Sequence, residues 1–264
     1  MLDWRPFGWT WNRLAKQNAL GAILTIDGKL GNWSVGEFLA TGKAQLDRFM
    51  DDLNRVSPGT AHGRALDFGC GVGRITRGLA DHFTEVVGVD VSPAMIDQAR
   101  ALHADRDRIT WVVNRKPHLK RFATDSFDVI YCRIVFQHIR PPIVEGYIAE
   151  LLRVLKPDGL LMFQLPEATS LDSERAFAER VFMEAPVIGG WKQKLPKPIV
   201  RAWRRFKRFK YRLLIEPGRM EMFGINRPNV EAVIAKAGGR LIWAKPDNSH
   251  ELDSLGFEYW VTGR

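Results

Sequence analysis

Asp67, Gly69, Gly71, Gly73 and Asp90 fall within one short span of this 264-residue chain, and together they point to one chemistry. The three glycines alternate in Leu66-Asp67-Phe68-Gly69-Cys70-Gly71-Val72-Gly73-Arg74. Glycines at that density on a strand-to-helix turn let backbone amides approach a ligand that any Cβ would exclude. Asp90 closes a second apolar run, Val86-Val87-Gly88-Val89, where an acid can hold ribose hydroxyls. The pair of features predicts a nucleoside-bearing cofactor. Asp67 also has a structural alternative, because an acid at a strand end can simply bond loop amides.

Positioning these residues requires strands that alternate with helices. Ala65–Phe68 reads as a first strand, Ile75–His82 as a helix and Val86–Val89 as a second strand. Ser92-Pro93 opens a helix over 94–102, with a capping serine and proline at the first helical position. Ile109–Val113 and Phe127–Cys132 are the third and fourth strands, and Pro141-Pro142 opens a helix running through Val154. Lys156-Pro157-Asp158-Gly159 is a turn before a fifth strand, Leu160–Leu165. A helix over 228–237 is stopped by Gly238-Gly239, and 241–244 and 258–262 are the last strands. Residues 1–60 read as helical, with Trp4, Trp9, Trp11, Trp33 and Phe38 as apolar anchors. The order predicts an α/β fold with a mostly parallel sheet, helices on both faces and a ligand site beyond the strands' carboxyl ends.

A dinucleotide fingerprint would need its third glycine at position 74, where Arg74 stands. The observed Gly-x-Gly-x-Gly with Asp67 and Asp90 instead resembles motif I and the acidic-strand motif of class I S-adenosylmethionine-dependent methyltransferases. Two further stretches are similar to that family: Asp125–Cys132 continuing to Phe136-Gln137-His138-Ile139, and Leu151–Gly159. The resemblance implies a Rossmann-like seven-stranded sheet with its last strand antiparallel. It also implies an N-terminal helical cap over 1–60 and a methyltransferase domain over 61–264, with a helical insertion after strand 5 at about 167–224.

It further implies a site. The backbone of Gly69, Cys70 and Gly71 would meet the methionine and ribose portions of S-adenosylmethionine, with Asp67 near the methionine end. Asp90 would accept from the ribose hydroxyls, Val91 and Met95 would pack along the adenine, and the backbone around Cys132 and Arg133 would meet the amino group. Trp33, Phe38 and Gly42 resemble the stretch that covers the cofactor. The acid that often follows the third strand is missing from Asn114-Arg115-Lys116-Pro117-His118-Leu119, so Asn114 or a nearby carbonyl takes its place. No metal ligand set is implied.

His138, just past the fourth strand, is a candidate general base for a hydroxyl or amine acceptor; the alternative is an imidazole that braces the loop. Cys70 reads as a small residue beside the cofactor rather than a nucleophile. Arg74 and Arg133 either pair an acidic substrate or bridge Asp and Glu on the rim, with bridging favoured for Arg74. Trp4, Trp9 and Trp11 read as packing anchors rather than a cation cage.

Two cysteines and no long apolar run predict a cytoplasmic protein without a disulfide framework. The net charge of +9 is concentrated: ten Lys or Arg fall between Lys192 and Arg212, and no acid lies between Glu184 and Glu216. Over 199–214 the pattern is two-sided at helical spacing, with Trp203, Phe206 and Phe209 opposite Arg204, Arg205 and Arg208. As a helix it would pack as a lid, lie on an anionic membrane surface or, least favoured, contact nucleic acid. The expected function is methyl transfer to an oxygen or nitrogen of a small-molecule or lipid-linked acceptor, held near His138 with Met220, Met222 and Phe223 beside it. An RNA methyltransferase docking through the basic helix, or a non-catalytic S-adenosylmethionine-binding protein, are the alternatives.

Overall fold

A computed structural model describes residues 5–24, 32–167, 222–247 and 256–263. Its centre is one seven-stranded sheet in the order β3-β2-β1-β4-β5-β7-β6. The strands are β1 (Arg64–Phe68), β2 (Glu85–Asp90), β3 (Ile109–Val113), β4 (Phe127–Cys132), β5 (Leu155–Pro166), β6 (Arg240–Asp247) and β7 (Gly256–Thr262). Strands β1 to β5 pair in parallel, while β7 runs antiparallel between β5 and β6. This is the expected Rossmann-like sheet with its last strand reversed. The chain builds outward from β1 through β2 to β3, then crosses back to set β4 on the other side of β1. A crevice opens where that order reverses, past the carboxyl ends of β1 and β4.

Six helices cover the sheet among the described residues: α1 (Arg5–Ile23), α2 (Val35–Val56), α3 (Thr76–His82), α4 (Pro93–Leu102), α5 (Pro141–Val154) and α6 (Arg227–Lys236). Alternation along the strands sorts the core. On β4, Val129 and Tyr131 face Phe49 and Leu53 of α2 and Leu79 of α3, whereas Ile130 and Cys132 face Ile148 of α5 and Val230 of α6. Phe127 joins the α5 side despite its odd number. The pairing register slips between it and Val129, as β5 moves from Leu155 to Leu160. The turn expected at 156–159 is therefore a bulge inside a longer β5. Lys156 Nζ bonds Asp128 Oδ1 at 2.8 Å across it.

The N-terminal helices bear on the crevice directly. α1 is broken at Asn18 (φ −166°, ψ 85°), whose Oδ1 accepts from the Gly21 amide at 3.1 Å and so restarts the helix. α2 begins at a full capping box, Ser34 with Glu37. Leu14, Ala15 and Ala19 of α1 pack with Phe38 of α2, Val72 and Met95 in a third core. Asn12 of α1 accepts from the Ala94 amide at 2.9 Å, so α1 helps to cap α4. Trp33, just before α2, donates to the Leu24 carbonyl just after α1. Trp4 and the helix expected over 199–214 lie outside the described residues.

Candidate active site

The crevice is a cavity of about 970 Å³ counted out to its open mouth. Its floor is the glycine loop after β1. Gly69, Gly71 and Gly73 all have positive φ (80°, 54° and 85°). At Gly71 the close approach is decisive: a Cβ there would lie 2.6 Å from Ile23 Cδ1 in the opposite wall. The amides of Gly69 and Cys70 both donate to the Val89 carbonyl, at 2.7 and 3.0 Å, which ties the loop to the end of β2.

Asp90 stands at that end. Its Oδ2 accepts from the Gly71 amide at 2.9 Å and its Oδ1 from the Ser92 amide at 2.8 Å. Burial pushes its carboxyl up to about 6 despite these donors. Asp67 is buried at the end of β1, where its Oδ2 accepts from Thr76 Oγ1 at 2.6 Å. Burial likewise raises it to about 6, against the Thr76 hydrogen bond and the charge of Arg74. Two carboxyls with lifted pKa values share one cleft, a common mark of a functional site.

Val91, Met95 and Asn114 line the cavity beyond Asp90. The Asn114 Nδ2 donates to the Lys116 and His118 carbonyls at 3.1 and 3.3 Å, so the side chain braces its own loop while facing the cavity. Cys70 also lines the wall, and burial pushes its thiol well up, which disfavours the nucleophilic thiolate. Cys132 is buried behind the lining, under the strand end.

Gly42 does not face the cavity. It lets α2 pack on the glycine loop, because a Cβ there would lie 2.6 Å from Arg74 Cγ. Trp33 and Phe38 also stand behind the lining, edge to face at 6.0 Å. Bridging to acids, expected of Arg74, belongs instead to Arg133. Arg74 is buried with its Nη2 on Gln45 Oε1 at 2.7 Å and its Nη1 on Thr41 Oγ1 at 3.3 Å, and its Nε has no hydrogen-bond partner. Arg133 bonds Asp247 Oδ2 at 2.9 Å and lies 3.6 Å from Glu258 Oε1.

Gln45 donates in turn to the Tyr131 hydroxyl. Burial raises that phenol to about 12, so it is neutral at ordinary pH. The Arg74–Gln45–Tyr131 array is not legible in the sequence, where its members stand far apart. Only the alternation of β4, which turns Tyr131 away from Cys132, hints at it.

Past β4 the chain makes a left-handed step at Ile134 (φ 58°), an unusual conformation for a β-branched residue. The Ile134 amide donates to Gln164 Oε1 of β5 at 3.1 Å. A short 3-10 turn, Phe136–His138, follows and places His138 on the cavity wall. The imidazole is buried, sits edge-on to Trp11 at 5.1 Å, and has Nε2 3.4 Å from Gln137 Nε2. The long segment between β5 and α6 leaves and rejoins beside it. Phe223 N donates to the Gln137 carbonyl at 2.7 Å, and Ile225 N to the Pro166 carbonyl at 3.0 Å. Met222 is buried at this junction, and Met220 lies outside the described residues.

A methyltransferase-domain model matches residues 65–159, from β1 to the bulge in β5. A trans-aconitate 2-methyltransferase from Methylobacterium radiotolerans is 30% identical over 191 residues, covering 66% of this chain and 67% of that protein. A malonyl-[acyl-carrier protein] O-methyltransferase from Enterobacter lignolyticus is 31% identical over 139 residues, 53% of each chain. The latter match thus spans about half the relative's length. Among solved structures, magnesium protoporphyrin IX methyltransferase from Synechocystis with bound S-adenosylmethionine superposes with a TM-score of 0.59 at 13% identity, covering 100% of this chain and 99% of that one. A methyltransferase from Leishmania major superposes with a TM-score of 0.60 at 13% identity, over 97% and 83% of the two chains. The matching domain and the trans-aconitate relative together define a methyltransferase. The chain belongs to the class I S-adenosylmethionine-dependent methyltransferases.

Proposed function

We propose that this enzyme methylates an oxygen of a small-molecule or lipid-linked acceptor, with His138 as the general base; a nitrogen acceptor is the second form of the same reading. The observation that carries it is the position of His138, buried on the cavity wall across from the glycine loop and beside the ends of the long insertion. Oxygen is favoured because the malonyl relative, and a ubiquinone biosynthesis enzyme 29% identical over 121 residues, are named as O-methyltransferases.

The residues present suit S-adenosylmethionine. Asp90 would accept from the ribose diol with the lone pairs left after Gly71 and Ser92, and Val91 and Met95 would flank the adenine. Asn114 or its loop would meet the adenine amino group. The amides of Gly69, Cys70 and Gly71 would face the ribose and methionine portions. Asp67 and the backbone of Cys132 and Arg133 would hold the α-amino group. Arg74, which lines the cavity, would offer its positive charge to the carboxylate. When bound, S-adenosylmethionine supplies a sulfonium methyl open to in-line attack. The protein aligns the acceptor with it, excludes water and takes the acceptor proton on His138.

The helix pattern over 199–214 supports an anionic membrane surface as the place where a lipid-linked acceptor is met. With labelled S-adenosylmethionine and an acceptor found by extract screening, His138→Gln should lower kcat by roughly a hundredfold and leave donor affinity within about twofold. A variant that keeps the wild-type kcat would remove His138 as the base.

A further inference from the structure

His103 is buried at the C-terminal end of α4, outside the cavity lining, yet its ring reaches the glycine loop from behind. Its Nε2 lies 2.9 Å from the Val72 carbonyl oxygen. A carbonyl only accepts, so this nitrogen carries the proton. On the other edge, Arg77 Nη1 lies 3.4 Å from Nδ1. A guanidinium only donates, so Nδ1 is bare. The ring is thereby fixed from both sides as the neutral Nε2–H tautomer.

Each support is itself held. Asp105 grips Arg77 through two hydrogen bonds of 3.0 Å. Trp111 stacks on the imidazole at 5.6 Å and 20°. Gly73 lets the ring lie against the loop, since a Cβ there would stand 2.8 Å from Nε2. Burial lowers the pKa of His103, and the nearby Arg77 and Arg106 charges act in the same direction, against the Val72 hydrogen bond.

We propose that His103 is a positioning residue for S-adenosylmethionine, acting through the Val72–Gly73 peptide. The Gly73 amide on the other side of that peptide donates to the Cys70 carbonyl at 2.9 Å and closes the turn that presents Gly71. Removing the imidazole leaves the buried Val72 oxygen without its acceptor bond. The peptide can recover a partner only by rotating, which opens the Gly73–Cys70 turn and misaims the loop amides. The inference rests on the reading that the glycine loop holds the donor.

Calorimetric titration with S-adenosylhomocysteine tests it on the whole chain. His103→Leu and the smaller His103→Asn, whose amide falls short of Val72, should each bind about tenfold more weakly. His103→Gln, whose Nε2 amide can replace the imidazole donor, should stay within about threefold of wild type. Leu241→Ala, on the far edge strand β6, serves as a control whose melting temperature falls while its affinity stays within about twofold. Wild-type affinity in both His103→Leu and His103→Asn, or equal losses in His103→Gln and His103→Asn, overturns the proposal. Asp90→Ala separates the two levels. If it too binds normally, the loop reading falls and takes the proposal with it; if it alone binds weakly, only the role of His103 falls.

Discussion

Asp67 and Asp90 end neighbouring strands in one cleft, and each is lifted by burial from an ordinary 3.8 to about 6. The fold thus favours their protonated forms. Below about pH 4 both carboxyls are neutral whether the chain is folded or not, and this contribution to stability is fully present. It is lost as the pH rises through about 6, where the buried groups must ionise. Asp67→Asn keeps an acceptor for Thr76 without the charge. Without donor bound, it should therefore be more stable than wild type by on the order of 2 kcal/mol at pH 8, the gain vanishing below pH 4. Urea unfolding at the two pH values measures this, and an equal gain at both would mean that Asp67 is not the origin. On the proposed reading donor binding requires both acids ionised, so affinity should weaken below pH 6. These acids and the loop glycines are legible in the sequence because one strand, turn, helix and strand carry them all. Arg74, Gln45 and Tyr131 are not, since their contacts join positions 29 and 86 residues apart and no local pattern encodes such a pairing.

At the scale of elements, the left-handed step at Ile134 joins β4 to the turn that carries His138. A β-branched residue in that region costs about 1–3 kcal/mol and persists only where its surroundings hold it. Gln164, fully buried on β5, holds it through the Ile134 amide. Gln164→Leu should destabilise the protein by about 2 kcal/mol and weaken donor binding along with it, as thermal unfolding and titration would register. Loss of stability with unchanged binding would confine Gln164 to the core. Periodicity and caps located nearly every strand and helix described, because alternation on the sheet and Ser92-Pro93 are local signals. They stopped short at β5, whose bulge exists only in its register with β4. They also missed the break in α1, which depends on one side chain bonding its own backbone.

At the scale of the molecule, ten cations within 192–212 account for the whole net charge of +9 and belong to a segment that starts and ends at the mouth of the cleft. Among the described residues no helix is long and apolar enough to cross a membrane. Neutralising Arg204, Arg205 and Arg208 together should lower association with anionic vesicles by about a hundredfold, at roughly 1 kcal/mol per lost charge near the surface, with a smaller loss at high salt. Wild-type protein that fails to sediment with such vesicles would end the membrane reading.

Two backbone hydrogen bonds stand at the neck of that segment: Ile225 to Pro166 joins its ends, and Phe223 to Gln137 ties it to the 3-10 turn. For such a closed excursion, doubling the length costs only about 0.6 kcal/mol of closure entropy. Closure entropy alone therefore opposes a change in the length of the stretch between them only weakly. On the proposed reading, in which the acceptor stands beside these anchors, a graft between them from a related enzyme is the natural unit for engineering a new acceptor.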